Sequence, residues 1–364
     1  MIKVKSVVDY LEEIAPPLLQ ESYDNAGLIS GSPEMVVSGI LITLDCTESV
    51  VEEAIVKKAN MIIAHHPIVF KGLKSFTGKN YVERVIIKVI KNDIAIYAIH
   101  TNLDNIINGV NKKLAEKLRL TNTRILRPIK NLQKLVTFVP VANTENVLNA
   151  LHKAGAGNIG NYSECSFKVN GKGYFRPNEE ANPIIGEKNI REEVDENRIE
   201  VIYPQHLARN IISSLRGAHP YEEVAYYMTD LQNENQENGA GLIGNLSEPM
   251  HVAEFLDHLT ASLSLSCIRH SNYSGVIETI ALCGGSGAFL LGDALRANAD
   301  CYVTADVKYH EFFDAEDKLL FCDVGHFESE VGTKELLFDM LTKKFTNFAL
   351  HLSDVNTNPI KYYK

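Results

Sequence analysis

None of the six cysteines, at positions 46, 165, 267, 283, 301 and 322, stands in a C-x-x-C pair. Most lie inside apolar runs such as Leu282-Cys283, so they read as buried, reduced thiols of a cytoplasmic protein and not as a disulfide framework. No stretch approaches the ~18 apolar residues that a membrane span needs, and no membrane partner is expected. The amino terminus runs from Met1-Ile2-Lys3-Val4-Lys5 straight into Val7 to Ile14, an amphipathic pattern with acids on its wet face. That pattern lacks the apolar stretch of a signal peptide. Basic residues are outnumbered, 36 against 46, which leaves a formal charge of -10. Broad phosphate binding depends on clustered Lys and Arg, so nucleic acid is not an expected partner. What remains is an ordinary globular composition, 45% apolar and 23% charged, sufficient for a packed core.

A chain of 364 residues is too long for one ordinary core. From residue 38, short β-rich runs alternate with helical stretches, the pattern of βα units on a mostly parallel sheet. Strands are predicted over 37–44, 61–64 and 94–99, and helices over 49–58, 81–91 and 110–118, with Ser49 and Glu52 as a capping box. The second half repeats this grammar, with strands over 279–283, 301–303 and 319–323. Its helices are predicted over 289–298, 308–317 and 328–345. Ala54, Ala59, Asn60, Ile63 and Ala64 recur 240 positions later as Ala294, Ala299, Asp300, Val303 and Thr304, which indicates an internal duplication. Between the halves, residues 130–240 have a different character. Strand 134–140, helix 144–154, a polar irregular stretch over 170–197, strand 199–203, helix 205–216 and strand 223–231 are expected there, with 233–241 as a flexible exit. The reading is therefore an α/β fold: a duplicated βα core (1–129 and 241–364) with mostly parallel sheets, interrupted by an inserted α+β domain (130–240).

The candidate chemistry lies at predicted strand ends, where open α/β sheets gather functional groups. Ala64-His65-His66-Pro67 follows a short apolar strand. Adjacent side chains of a regular strand point to opposite faces, so a shared role requires the bend that Pro67 favours. The bland alternative is a pair of hydrogen-bonded surface histidines. His326 and Glu330 are four apart at the mouth of a helix, a spacing that can put imidazole and carboxylate on one side of the first turn. Glu328 and Glu330 could equally be first-turn acids favoured by the helix dipole, and Asp104 a turn cap. His100 with Asp104 four residues on echoes His326 with Glu330, so both pairs are expected at one cleft. Mixed imidazole and carboxylate ligation suits Zn, Fe or Mn. Gly284-Gly285-Ser286-Gly287 follows a strand and opens a helix, where backbone N–H groups of Gly285, Ser286 and Gly287 can cradle an anion such as a substrate phosphate. It lacks the Lys-Ser/Thr of a Walker loop, and a tight turn for close packing is the alternative.

Tyr23-Asp24-Asn25-Ala26-Gly27-Leu28, Ala64-His65-His66-Pro67, His100-Thr101-Asn102-Leu103-Asp104, Gly284-Gly285-Ser286-Gly287, Thr304-Ala305-Asp306-Val307-Lys308-Tyr309-His310 and Gly325-His326-Phe327-Glu328-Ser329-Glu330 stand in this order. Together they resemble the ordered signatures of the NIF-three-like family, also catalogued as GTP cyclohydrolase 1 type 2 homologs. The resemblance covers the whole chain, since residues 130–240, with Ala218-His219-Pro220-Tyr221-Glu222-Glu223 near their end, are similar to the PII-like or CutA-like, ferredoxin-like insert of longer members. One departure is visible: the first signature usually opens with Trp, and this chain has Tyr23 and no Trp at all. An aromatic body with a polar tip is retained.

The resemblance implies two divalent metal ions per subunit, Zn first with Fe or Mn as alternatives. Its implied ligands are His65, His66, Asp104, His326 and Glu330, with Glu330 as the bridge. It also implies a toroidal homohexamer with metal sites facing an inner cavity. His100 and His310 fall within the signatures without being ligands. Each could orient a ligand or move a proton, or be a histidine satisfied by backbone. Two metals roughly 3.5–4 Å apart can activate a shared water and polarise an electrophile, so a metal-dependent hydrolase acting on a nucleotide or other small phosphorylated or cyclic substrate is expected. The competing expectation is a non-catalytic hexameric metal-binding scaffold whose insert senses a small ligand or partner protein.

Overall fold

The computed structural model describes residues 1–346 and 348–363. The chain divides into two compact units, one made of Met1–Pro128 with Gln236–Lys364 and the other of Ile129–Asn235.

The first unit holds two sheets built on the same plan. One runs in the order Gly27–Ser30, Ala95–Ala98, Met61–Ala64, Ile40–Thr43, Leu350–Leu352. The other runs Arg269–His270, Leu320–Asp323, Cys301–Ala305, Val276–Ser286, Asn235–His251, Thr121–Ile129. Each contains three consecutive parallel strands, and in each the third is flanked by an antiparallel edge strand. The parallel strands are short apolar runs: every residue of Ile40–Thr43, Met61–Ala64 and Ala95–Ala98 is buried. Burial on both faces removes the polar alternation of a one-sided sheet. Each fully buried Ile or Leu contributes about 1.5–3 kcal/mol, so the sheet centres are strong organisers of the fold.

Helix Tyr81–Lys91 shows how local sequence seats an element on this framework. The Asn80 side chain accepts the Glu83 N–H at 2.9 Å, and Lys88 and Lys91 complement the dipole in the last turn. Val85, Ile86 and Val89, at helical spacing, pack with Val50 and Val51 of helix Glu48–Val56 and with Ile62 and Ile96 of the sheet.

The second unit runs strand Leu132–Pro140, helix Thr144–Lys153, strands Phe167–Phe175 and Glu192–Pro204, helix Ala208–Ala218, strand Tyr226–Asp230. The four strands form one antiparallel sheet in the order Phe167–Phe175, Glu192–Pro204, Leu132–Pro140, Tyr226–Asp230. Its own core joins Leu135, Val139, Ile199 and Val201 of the sheet to Val147, Leu151, Ile211 and Leu215 of the helices.

Several elements differ from expectation. The cap of the helix starting at Glu48 is Thr47, whose side chain accepts the Val50 N–H, so Ser49 and Glu52 form no capping box. The helix expected over 308–317 is a 3-10 turn, Tyr309–Ala315. The long helix over 328–345 is two, His326–Glu330 and Thr333–Lys344, interrupted where Gly332 lies against the Lys113 and Lys117 side chains. The stretch expected to be irregular over 170–197 is irregular only over 176–191; its two ends belong to the paired strands Phe167–Phe175 and Glu192–Pro204. The expected flexible exit over 233–241 begins strand Asn235–His251. All six cysteines are free; Cys46, Cys283, Cys301 and Cys322 are buried, whereas Cys267 is exposed and Cys165 half-buried. Among the described residues no helix is long and apolar enough to cross a membrane.

Candidate metal centre

The carboxyl ends of the parallel strands in the first unit converge on one group of side chains. Asp45 follows Ile40–Thr43, His65 and His66 follow Met61–Ala64, and His100 and Asp104 follow Ala95–Ala98. From the other sheet, Gly285 and Ser286 end Val276–Ser286, Asp306 follows Cys301–Ala305, and His326 and Glu330 lie on the short helix after Leu320–Asp323. The chain bends at His65 and His66, as Pro67 predicts, so neighbouring imidazoles share one side with ring centroids 4.9 Å apart.

Three hydrogen bonds fix how the imidazoles point. His65 Nδ1 lies 2.8 Å from the Ile99 carbonyl, which can only accept, so Nδ1 carries the proton and Nε2 is left with its lone pair. His66 Nδ1 donates to Asp45 Oδ1 at 2.7 Å, and His326 Nδ1 donates to Asp306 Oδ2 at 2.7 Å. Asp45 is itself held by the Thr357 hydroxyl at 2.6 Å. All three Nε2 atoms therefore face inward, the orientation that carboxylates and carbonyls behind metal-binding histidines impose. Asp306 has a positive φ of 55°, a conformation costly for a non-glycine residue and held here at the site.

Glu330 divides the group in two. Its Oε2 lies 2.9 Å from His66 Nε2 and 3.0 Å from His326 Nε2. Its Oε1 faces His65 Nε2 at 3.9 Å, with Asp104 Oδ1 3.6 Å from the same nitrogen. His65 Nε2 and Asp104 Oδ1 are buried and have no hydrogen-bond partner. A lone pair facing two carboxylate oxygens in a buried place is unfavourable unless a cation lies among them. The residues present thus fit a metal ion, and three sets could hold one: His65, Asp104 and Glu330; His66, His326 and Glu330; and His65, His66 and His100.

The electrostatics of the metal-free group point the same way. Burial pulls His65 down to about 4 despite the nearby Glu330 carboxylate, so it is neutral at pH 7. Burial also opposes charge on His66 and His326, but bonds to Asp45, Asp306 and Glu330 outweigh it and raise them to about 9 and about 11. Burial and the charge of Glu330 push the Asp104 carboxyl well above its ordinary range. Glu330 is also buried, yet the three histidines hold it well below that range.

His100 Nδ1 donates to Asp24 Oδ1 at 2.8 Å, and its ring sits 5.2 and 5.3 Å from those of His65 and His66. Burial opposes ionisation of Asp24, but His100 and Thr101 hold it at about 2. His310 is not brought to this group; it is exposed and stacks among Tyr309 and Phe313. In the Gly-rich turn Gly284 and Ser286 line the cavity over the site, whereas Gly285 and Gly287 do not. The Gly285 N–H donates to Ser329 Oγ and the Gly287 N–H to Thr304 Oγ1, so both amides serve close packing. Gly285, with φ of 62°, leaves the space that the Glu330 carboxylate occupies. The cavity is about 610 Å³, and Tyr23, Phe70, Phe289 and Phe327 contribute aromatic wall. Asp45 and Asp306 were not singled out from sequence as orienting groups. Their position just past strand ends is the one signal that could have found them.

Fold and site together define an α/β protein with a histidine and carboxylate cluster, at the carboxyl ends of two parallel strand triplets, that could hold metal. The chain belongs to the Duf34/NIF3 (NGG1p interacting factor 3) family, whose model matches residues 2–359. It is 38% identical over 368 residues to the GTP cyclohydrolase 1 type 2 homolog of Halalkalibacterium halodurans, covering 98% of each chain. It is 36% identical over 365 residues to the protein of the same description from Bacillus subtilis, again with 98% of each covered. Its structure is similar to that of a Bacillus cereus protein related to NIF3, with a TM-score of 0.87, 39% identity, and 100% of this chain and 99% of that one covered.

Proposed function

We propose that this protein is a dinuclear metal-dependent hydrolase acting on a nucleotide or another small phosphorylated or cyclic substrate, with Zn as the first candidate metal and Fe or Mn as alternatives. The observation that carries the reading is the division of Glu330, one oxygen toward His65 and Asp104 and the other toward His66 and His326. Two cations bound there would bring the pKa of a shared water toward neutrality and polarise the bond under attack. The remaining work belongs to the protein. Asp45, Asp306 and the Ile99 carbonyl keep the Nδ1 protons in place, so the three Nε2 atoms stay available. His100, with Nδ1–H donated to Asp24, has Nε2 free to take a proton and return it. Phe70 stands edge-on to the His100 ring at 5.6 Å and limits water on that side. Of the two histidines expected to move protons, His100 is the one this arrangement supports.

The relatives' description as GTP cyclohydrolase 1 type 2 homologs makes attack on the imidazole ring of a guanine nucleotide the first reaction to test. In the same proposal, residues 130–240 form a ferredoxin-like, PII-like or CutA-like insert between core halves 1–129 and 241–364, and the chain assembles as a homohexamer. The order strand, helix, strand, strand, helix, strand in Ile129–Asn235 supports the first part. Metal-loaded protein incubated with a nucleotide panel tests the activity. Turnover should appear, and should vanish in Glu330→Gln while light scattering still reports the hexamer. Turnover unchanged by Glu330→Gln would remove the dinuclear mechanism. Absence of turnover across the panel would favour the scaffold reading.

A further inference from the structure

The unit Ile129–Asn235 contains a second cavity, about 630 Å³, that plays no part in the chemistry above. Its most telling group is Glu196, which is only 7% exposed on strand Glu192–Pro204. Oε1 accepts the Tyr221 hydroxyl at 3.0 Å. Oε2 has no hydrogen-bond or ion-pair partner among the described residues, and it is not one of the fully enclosed orphan atoms, so it opens on the cavity that Glu196 lines. Gly173, which also lines the cavity, makes room for the carboxylate, since a Cβ there would lie 2.0 Å from Oε2.

The arrangement around this carboxylate is built by the His219-Pro220-Tyr221-Glu222 segment. His219 Nε2 donates to the Phe138 carbonyl at 2.9 Å, which leaves Nδ1 to accept the Tyr221 N–H at 3.1 Å. The imidazole thus fixes the turn that aims the phenol at Glu196, and Phe175 packs against the same ring at 5.7 Å. Burial and the neighbouring carboxylate raise the Tyr221 phenol, which keeps its proton on and donating. Glu222 Oε1 accepts the Asn182 N–H at 2.8 Å and ties the loop after Phe167–Phe175 to this wall. The charge balance of the lining is negative in effect. Lys172 is already paired with Glu193 and Asp195, which leaves Arg176, exposed at the rim, against Glu196, Glu222 and Glu223.

A buried carboxylate with one protein donor and one oxygen facing an aromatic-walled cavity is matched by a cationic N–H donor, through a charge-assisted hydrogen bond and contact of the cation with ring faces. We propose that this cavity binds a small organic cation, an ammonium or amidinium-type group on an apolar body, with Glu196 Oε2 as its anchor.

The test follows the methyl resonances of Ile184 and Ile185, which line the cavity, in the full chain saturated with Zn so that amines do not compete at the histidine cluster. Benzylamine, benzamidine, benzyl alcohol and benzoate share one ring and differ in head group. Benzylamine and benzamidine should produce saturable shifts with affinity at least about tenfold above benzyl alcohol, and benzoate should produce none. Glu196→Gln should reduce the two cations to the level of the alcohol, whereas Tyr221→Phe should keep the selectivity. Equal binding of benzoate, no saturable shift with any probe, or cation selectivity unchanged in Glu196→Gln would overturn the proposal. Should Glu196→Gln fail to fold, the head-group series on the unaltered chain decides alone.

Discussion

Replacing Gly285 by alanine places a methyl group where the Glu330 carboxylate lies. The added Cβ would sit 2.2 Å from Oε1. Side-chain carbons essentially never come within 3.0 Å of another heavy atom, so Oε1 would have to retreat by at least 0.8 Å, from 2.2 to 3.0 Å. Binding constellations tolerate displacements of roughly 0.5 Å, so this retreat exceeds what the proposed bridge can absorb. The backbone itself, at φ of 62°, costs a non-glycine residue only about 1–2 kcal/mol. Gly285→Ala is therefore expected to lower metal affinity by at least about tenfold, about 1.4 kcal/mol, with a modest loss of metal-free stability. Chelator competition with Zn measures the first, and urea unfolding the second. Gly287→Ala is the contrast: its Cβ would meet Thr304 Oγ1 at 2.4 Å and Cys283 Cβ at 2.7 Å, so it should cost packing stability and leave metal affinity near the original. Full Zn affinity in Gly285→Ala, or equal loss in both variants, would refute the assignment of Glu330 Oε1 to a metal.

Other consequences follow from the same geometry. Asp45→Asn and Asp306→Asn should each weaken metal binding by about 10–100-fold without unfolding the chain, because each removes the charge behind one imidazole; the same competition assay reads this. Metal uptake at pH 7 should release protons, since His66 and His326 are raised to about 9 and about 11 and hold protons that ligation must expel. That release should shrink as pH rises through about 9, and a weakly buffered titration showing none at pH 7 would contradict the assignment. Burial opposes ionisation of Glu83, but the N–H groups of Thr77 and Lys79 and the Thr77 hydroxyl hold it at about 2, below its ordinary 4.5. Its contribution to stability is then complete above about pH 4.5 and is lost as pH falls toward 2. Glu83→Gln should flatten the acid limb of a thermal-stability profile over that window, and an unchanged limb would count against it.

The parallel strands were readable because burial on both faces turns them into short uninterrupted apolar runs, as in Met61-Ile62-Ile63-Ala64. The bend that lets His65 and His66 face one place was readable from Pro67. The partners of those rings were not. Asp45 lies 21 residues from His66 and Asp306 lies 20 from His326, and beyond a position just past a strand end nothing local marks an acid that meets an imidazole across neighbouring strands. Strand Phe167–Phe175 was hidden for a different reason: it is exposed along most of its length, and Gly171 and Gly173 break the alternation that Phe167 and Val169 begin. The interruption at Gly332 carries only a weak local signal, a single glycine inside a helical pattern, which helices commonly tolerate. His310 shows the limit of position within a motif: it shares a signature with Asp306, yet the chain turns away and leaves it exposed.

The most direct test of the account is anomalous X-ray scattering from crystals of the chain saturated with Zn. Two peaks per chain are predicted, one between His65 and Asp104 and one between His66 and His326, with one oxygen of Glu330 on each. A single peak at saturation, or two peaks of which either lacks Glu330, would contradict it.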